Sequence, residues 1–206
     1  MGIQETKRRV FLDHFLNYIA GPCEFNWLSL PAKNTAGGIL VGFKKDRFEV
    51  ISHSCQEFSI SIVVRDSLDD FSWQLVVVYG SPYLERKVEF IAELHDIMEQ
   101  SSLPTMLGGD FNLVRGVHEK NNGVIHANHT MLFNDWINRW ALLELKPANR
   151  IFTWSNNQVD PIMATLDRIL VSTDWEAKFP LSNFRTLPRP ISDHAPSSWT
   201  LGLLIL

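Results

Sequence analysis

The chain has 206 residues, of which 45% are hydrophobic and 20% charged. This balance excludes a disordered protein and indicates a single globular domain over residues 1–206. The formal net charge of −4 argues against a strong general nucleic-acid binder but leaves room for a local basic groove. Cys23 and Cys55 match no metal-binding spacing, and we expect them to be small core residues in a reducing compartment. With neither an apolar run of membrane-spanning length nor a signal-peptide pattern, we expect an intracellular protein that does not enter the membrane.

The N-terminal half is predicted to hold one helix followed by several strands. Apolar residues at helical spacing predict a helix over residues 7–19, which Gly21 and Pro22 end. Strands are predicted over residues 25–30, 39–43, 48–51 and 58–64. Residues 73–79 form a continuous apolar run rich in β-branched side chains, which predicts a strand buried on both faces.

In the C-terminal half, predicted helices and strands alternate. The helices are predicted over residues 84–98, 129–143 and 174–178. The strands are predicted over residues 105–109, 152–154, 165–171, 184–187 and 201–206. Because strands that are neighbours along the chain can pair directly, the pattern favours an α+β fold with two packed β-sheets and helices outside.

One short stretch carries the first sign of chemistry. Two glycines, Gly108 and Gly109, follow a predicted strand and lead into Asp110, Phe111 and Asn112. Alternate side chains of an extended segment share a face, so Asp110 and Asn112 are expected to point the same way and Phe111 into the core. The glycines permit a close backbone approach or a positive φ angle. The alternative interpretation is an ordinary turn.

Four carboxylates lie at predicted strand ends or loops: Glu5, Asp110, Asp167 and Asp193. Any one of them alone is more simply a helix cap or a solvated charge. Together with His194 they suggest hydrolysis of a phosphoester, which needs a metal ion at the phosphate, a positioned water and charge stabilisation. Carboxylate oxygens suit Mg²⁺, and a histidine beside an acid can be held in one charge state near a phosphate.

Five short motifs extend this set in a fixed order: Gln4-Glu5-Thr6, Val78-Tyr79-Gly80, Gly109-Asp110-Phe111-Asn112, Leu166-Asp167-Arg168 and Ser192-Asp193-His194. In this order they resemble the endonuclease/exonuclease/phosphatase family over nearly the whole chain. The finer spelling, which includes residues 36–38, 152–156 and 166–172, resembles the endonuclease domain of plant LINE-type (non-LTR) retrotransposons. The resemblance implies a four-layer α/β/β/α sandwich and phosphodiester cleavage that depends on Mg²⁺ or Mn²⁺.

The resemblance also implies a role for each matching residue. Glu5 would be the principal metal ligand and Asp193 would lie next to that metal. Asp110 would activate or orient the attacking water, and Asn112 would hold that water or the phosphate.

The remaining two roles concern the phosphate itself. His194 would contact the scissile phosphate and be oriented by Asp167, and the hydroxyl of Tyr79 would reach the same phosphate. The implied partners are DNA and a reverse-transcriptase domain of the full element. We expect a monomer that would be nuclear if it acts on genomic DNA.

The chain departs from the family pattern at two places. The family begins with an asparagine-bearing strand upstream of the Glu5 motif, so we expect the domain to lack its first strand, to be incomplete at the N-terminus and at the C-terminus, and to be catalytically weak. Family members also place an asparagine shortly after the tyrosine, whereas Ser81 and Pro82 follow Gly80 here. A catalytically inactive truncated remnant and a phosphatase acting on a small phosphoester or phosphoinositide are the alternatives.

Residues near the motifs have two interpretations each. Trp154 can line a DNA-facing rim or belong to the core. Arg115, Lys120 and Arg150 can meet phosphates or be ordinary surface cations.

Overall fold

The computed structural model describes residues 1–32, 37–149, 151–188 and 192–200. The strands, in chain order, are β1 (Gly2–Gln4), β2 (Phe25–Leu30), β3 (Ile39–Lys44), β4 (Phe48–Cys55), β5 (Ser59–Asp66), β6 (Ser72–Tyr79), β7 (Thr105–Asp110), β8 (Leu143–Leu145), β9 (Trp154–Ser155), β10 (Met163–Ala164), β11 (Asp167–Val171), β12 (Asn183–Thr186) and β13 (Ser197–Thr200). The helices are α1 (Asp13–Ala20), α2 (Lys87–Glu99), α3 (Ala127–Arg139) and α4 (Thr173–Lys178).

A six-stranded sheet with the order β4-β5-β6-β7-β11-β8 forms the centre of the molecule. Strands β6 and β7 run parallel, and the other neighbours in this sheet run antiparallel. Strand β6 is buried on both faces: Trp73, Leu75 and Val77 belong to one core, and Val76 and Val78 belong to the other. Residues 73–79 therefore form a strand that is buried on both faces, as their sequence predicts.

Helices α2 and α3 cover one face of the central sheet. In α2, Phe90, Ile91 and Leu94 lie on one stripe and pack against the sheet, because their spacing places them on the same side of the helix. Phe133 and Trp136 of α3 enter the same core. Full burial of each such side chain contributes roughly 1.5–3 kcal/mol to folding.

A three-stranded sheet with the order β1-β3-β2 covers the other face, and the β12–β13 pair lies beside it. The core between the two layers contains Ile39 and Val41 of β3, Phe184 of β12, and Trp175 and Phe179 of α4. This arrangement confirms the predicted α+β fold with packed sheets. The layer outside β1–β3 is thin, because α1 contains no buried residue.

A gap of about 800 Å³ separates β1 from residues 194–198. Its floor is the inner face of the central sheet and includes Val64, Leu75 and Met106. The N-terminal ammonium of Met1 donates to the carbonyl of Gly42 at 2.7 Å, so β1 is tied to β3 from its first residue.

Several boundaries differ from the sequence prediction. Helix α1 begins at Asp13 and not at residue 7, because the N–H of Lys7 donates to the carbonyl of Gly37 and the carbonyl of Arg8 accepts from Ala32. Helix α3 ends at Arg139, four residues early, and the chain reverses through a positive φ of 48° at Ala141.

The sequence prediction also missed short strands, and one predicted strand is not described. Strands β8, β10 and β13 were not predicted, and the strand expected over residues 201–206 lies outside the described residues. Cys23 and Cys55 are exposed, so their expected place in the core is wrong. Among the described residues, every helix is too short or too polar to cross a membrane.

Candidate active site

Three strands of the central sheet end at the same place and bring their terminal residues together. Strands β6 and β7 run parallel and finish in register at Tyr79 and Asp110. Strand β11 runs the opposite way beside β7, so its first residue, Asp167, pairs with Asp110. The topology alone therefore places a tyrosine and two carboxylates side by side at one edge of the sheet.

Asp110 and Asn112 do share a side, but for a different reason from the predicted strand alternation. Strand β7 ends at Asp110, and Asn112 adopts a left-handed φ of 51°, which asparagine tolerates better than most residues. The backbone N–H of Asn112 donates to Asp110 Oδ1 at 2.8 Å, and its side-chain amide donates to Asp110 Oδ2 at 2.6 Å. Phe111 is fully buried, as predicted.

Gly109 shows why glycine precedes the aspartate. Its φ is 140°, and a Cβ at this position would lie 2.2 Å from the carbonyl oxygen of Val78 and 3.0 Å from the side-chain amide of Gln4. A larger residue would separate β7 from its neighbours at the point where Asp110 is presented. The expected close backbone approach is therefore observed.

His194 and Asp167 form a close pair beside Asp110. Nδ1 of His194 lies 2.9 Å from Asp167 Oδ2, and Nε2 lies 3.8 Å from Asp110 Oδ2. The loop that carries His194 is held by backbone hydrogen bonds from Ser155 to Asp193 and from Ala195 to Thr153. Asp167 itself is placed by its N–H, which donates to the Thr153 hydroxyl at 3.0 Å.

The neighbouring carboxylates determine the charge state of this group. Burial alone would lower the pKa of His194, but the hydrogen bond and charge of Asp167, with smaller contributions from Asp110 and Asp193, raise it to about 9. Burial and the charge of Asp167 raise the pKa of Asp110. His194 is therefore an imidazolium at neutral pH, which places a positive charge between acids at the cleft.

Glu5 approaches the strand ends from the other sheet. It follows β1 with a φ of 52°, and the next residue, Thr6, continues the pairing by donating its N–H to Gly38 O. The hydroxyl of Tyr79 donates to Glu5 Oε1 at 2.6 Å. Burial and this carboxylate raise the pKa of Tyr79. In this structure the tyrosine hydroxyl is thus engaged with the predicted metal ligand.

Asp193 completes the set from the loop before His194. Its Oδ2 accepts a hydrogen bond from the indole N–H of Trp154 at 3.1 Å. Although partial burial acts in the opposite direction, this bond and the charge of His194 lower the pKa of Asp193. Trp154 is half-buried and lines the cleft, so it is not a core residue, and whether this rim faces DNA stays a prediction.

A cleft of about 520 Å³ opens over these groups. Five of the seven predicted site residues line it: Glu5, Asp110, Asn112, Asp193 and His194. The other two, Asp167 and Tyr79, are hydrogen-bonded to residues that do. The structure thus brings all seven together from positions spread over almost the whole chain, while their individual roles stay predictions.

Two sets of side chains at this cleft carry atoms that can bind a metal ion. Ligand atoms of Asp110, Asp167 and His194 lie within 4.8 Å of one another. Within this group the carboxylates of Asp110 and Asp167 offer oxygen atoms, while Nδ1 of His194 lies 2.9 Å from Asp167 Oδ2 and is engaged with it. Glu5 and Asp193 also line the cleft, and their carboxylate oxygens are hard donors of the kind that suits Mg²⁺. This donor set is consistent with a divalent ion.

The basic residues near the cleft differ in whether they face it. Lys120 lines the cleft. Arg115 does not face it, because its guanidinium donates to Glu144 and Asn134, and Arg150 lies outside the described residues. Lys87 also lines the cleft and was overlooked. A sequence signal for it existed, because it lies three residues before Phe90 on the apolar stripe of α2.

One family and several solved structures are similar to this chain. The model of the endonuclease/exonuclease/phosphatase family matches residues 1–194. Among solved structures, the endonuclease domain of TRAS1, a telomere-specific non-LTR retrotransposon, superposes with a TM-score of 0.68 at 15% identity, over 87% of this chain and 80% of that one.

Two further structures share the fold. The AP endonuclease LMAP from Leishmania major gives a TM-score of 0.71 at 13% identity, over 98% of this chain and 78% of that one. A mannosyl-6-phosphatase from Bacteroides thetaiotaomicron gives a TM-score of 0.57 at 14% identity, over 87% of this chain and 77% of that one. No curated protein matches the sequence significantly.

Proposed function

Because the chain belongs to the endonuclease/exonuclease/phosphatase family, we propose that it is a divalent-metal-dependent phosphodiesterase that nicks DNA. The observation that carries the proposal is the acid–histidine group at the strand ends, where Asp110, Asp167 and His194 meet beneath an open cleft. Such a group combines a carboxylate near the site of attack with a cation that can neutralise phosphate charge.

In the proposed reaction, a water oxygen attacks phosphorus, the bond from phosphorus to the leaving oxygen breaks, and the leaving oxygen takes up a proton from solvent water. Asp110 accepts the water proton, and the side chain of Asn112 holds Asp110 and the water in place. His194, oriented by Asp167, faces the phosphate as an imidazolium and stabilises the charge that develops on its oxygens.

Glu5 and Asp193 would hold the divalent ion, Mg²⁺ or Mn²⁺, in the same cleft. When bound, the ion would polarise the phosphate and lower the cost of its negative charge. Tyr79 positions Glu5 by donating its hydroxyl to Glu5 Oε1. When the substrate binds, the same hydroxyl would donate to a phosphate oxygen instead.

Target-site nicking for a plant LINE-type retrotransposon is the specific activity that we propose. The motif spelling and the fold shared with a retrotransposon endonuclease domain support this assignment. In that setting the chain would act as a monomer, would work with a reverse-transcriptase domain in the full element, and would reach genomic DNA in the nucleus.

The test compares substrate classes under one set of conditions. Supercoiled plasmid, an oligonucleotide duplex, a sugar phosphate and a soluble phosphoinositide are each incubated with the protein in Mg²⁺, in Mn²⁺ and in EDTA. We expect nicked plasmid in either metal and intact plasmid in EDTA. Release of phosphate from a small substrate without nicking would favour the phosphatase alternative. No turnover of any substrate would favour the inactive remnant.

A further inference from the structure

Lys87 is buried in an unusual place for a lysine. It is the first residue of α2 and is only 3% exposed, yet it lines the same cleft as Asp110 and Asn112. Burial lowers the pKa of Lys87 to about 8, while the charge of Asp110 acts in the opposite direction. Burying an ammonium is unfavourable unless its donors are satisfied, so its hydrogen bonds show what the residue does.

The ammonium joins two separate segments of the chain. Lys87 Nζ donates to the carbonyl of Ser81 at 2.5 Å and to the carbonyl of Asn112 at 2.5 Å. Ser81 lies two residues after the end of β6, and Asn112 lies two residues after the end of β7. A single side chain therefore bridges the two turns that follow the parallel strands.

Other contacts show that these two turns must stay close together. The N–H of Gly80 donates to Asp110 O at 2.7 Å, and the side chain of Asn112 donates to Gly80 O at 3.0 Å. A Cβ at Gly80 would lie 2.3 Å from the carbonyl oxygen of Phe111. Lys87 adds a third link between the two turns, which comes from helix α2.

The bridge acts on a residue with a left-handed backbone conformation. Asn112 has a φ of 51°, and its hydrogen bonds to Gly80 and Asp110 hold it in this turn. Its side chain in turn determines where the Asp110 carboxylate points. We propose that Lys87 is a positioning residue for phosphodiester hydrolysis, which holds the turn after Asp110 against the turn after Tyr79 so that Asp110 and Asn112 keep their reactive orientation.

This inference rests on the proposed phosphodiesterase activity, and its test separates the two. Lys87→Met removes the ammonium and keeps the length of the chain. Lys45→Met is the matched control, because Lys45 is exposed, pairs with Glu24 at 3.6 Å and does not line the cleft. Rates are measured on plasmid and oligonucleotide in Mg²⁺, and folding is checked by circular dichroism and thermal melting.

We expect Lys87→Met to lower kcat about 10²-fold with little change in KM, because misplacement of a reacting group affects the chemical step. Lys45→Met should leave both kcat and KM within a few-fold. A wild-type kcat in folded Lys87→Met would overturn the proposal.

Chemical rescue distinguishes positioning from general stabilisation. Lys87→Cys is prepared together with Cys23→Ser and Cys55→Ser, which replace two exposed thiols. Alkylation with 2-bromoethylamine in urea, followed by refolding, restores an ammonium of similar reach at residue 87. We expect activity to return at least ten-fold relative to the unmodified cysteine variant. Folded, alkylated protein without recovery would contradict the role of the ammonium. This route also serves if Lys87→Met does not fold.

One readout does not require any activity. Hydrogen exchange of the amides of Phe111 and Asn112 reports whether the turn is held, since these amides donate to Leu166 O and Asp110 Oδ1. We expect faster exchange in Lys87→Met than in Lys45→Met. Equal protection in both variants would overturn the inference. Inactive wild-type protein that still shows the difference would count against the proposed function alone.

Discussion

The pair formed by His194 and Asp167 couples the charge of the site to pH. The pKa of His194 in the folded protein is about 9, above the ordinary histidine value of 6.5, because of the carboxylates around it. A group whose pKa rises on folding contributes its full stability below its unfolded pKa and loses it as the pH rises through the folded pKa. The contribution of this pair should therefore disappear between about pH 6.5 and 9.

Thermal melting in metal-free buffer measures this linkage. We expect the midpoint of wild-type protein to fall between pH 6.5 and pH 9 by more than that of Asp167→Asn, because the variant lacks the carboxylate that raises the His194 pKa. Direct titration of the His194 ring by NMR is the second measurement. An apparent pKa near 6.5 for His194 in wild-type protein would contradict the assignment of an imidazolium at neutral pH.

The two predicted metal ligands can be tested separately from the catalytic pair. Glu5→Gln and Asp193→Asn each remove one negative charge from the cleft while keeping side-chain shape. We expect each to raise the Mg²⁺ concentration needed for half-maximal nicking at least about ten-fold, since even residues that only support ligands change affinity by 10–100-fold. The exposed Asp13→Asn serves as the control. Unchanged metal dependence in Glu5→Gln would remove Glu5 from the metal site.

At the scale of elements, a network of buried ion pairs holds the loop that follows β7 in place. Arg168, next to Asp167 on β11, is fully buried and its guanidinium binds both Glu119 and Glu144. Its Nη2 also donates to the carbonyls of Leu113 and Thr165. Through these contacts, β11, β8 and the segment after Asn112 are held as one unit behind the site.

Removal of this arginine should be costly. Arg168→Met leaves Glu119 and Glu144 buried without their main partner, and we expect a loss of about 3–5 kcal/mol in the free energy of unfolding. The matched control is Arg65→Met, which breaks an exposed, solvent-screened pair with Glu49 and should lower the free energy of unfolding far less. Urea denaturation gives both values. A loss below 1 kcal/mol for Arg168→Met would show that the network does not hold these elements together.

At the scale of the whole molecule, the sequence predicted most elements and the convergence of the site, because periodicity and motif order are local features. It did not predict that α1 begins late, since that depends on pairing between Lys7 and a distant loop. The burial of Lys87 and the partners of Arg115 also depend on contacts across the fold. Local sequence patterns indicate which residues can carry the chemistry. Long-range packing determines which charged side chains form ion pairs or hydrogen bonds elsewhere and so do not face the site.

The most direct test of the account is the nicking of supercoiled plasmid in Mg²⁺ by wild-type protein, Asp110→Asn and His194→Asn, each shown to be folded by thermal melting. Because both side chains are assigned to the chemical step, we predict that wild-type protein nicks the plasmid and that each variant is slower by about 10²–10⁴-fold. Near wild-type rates in either folded variant, or nicking by wild-type protein that persists in EDTA, would contradict the assignment of this cleft as a metal-dependent phosphodiesterase site.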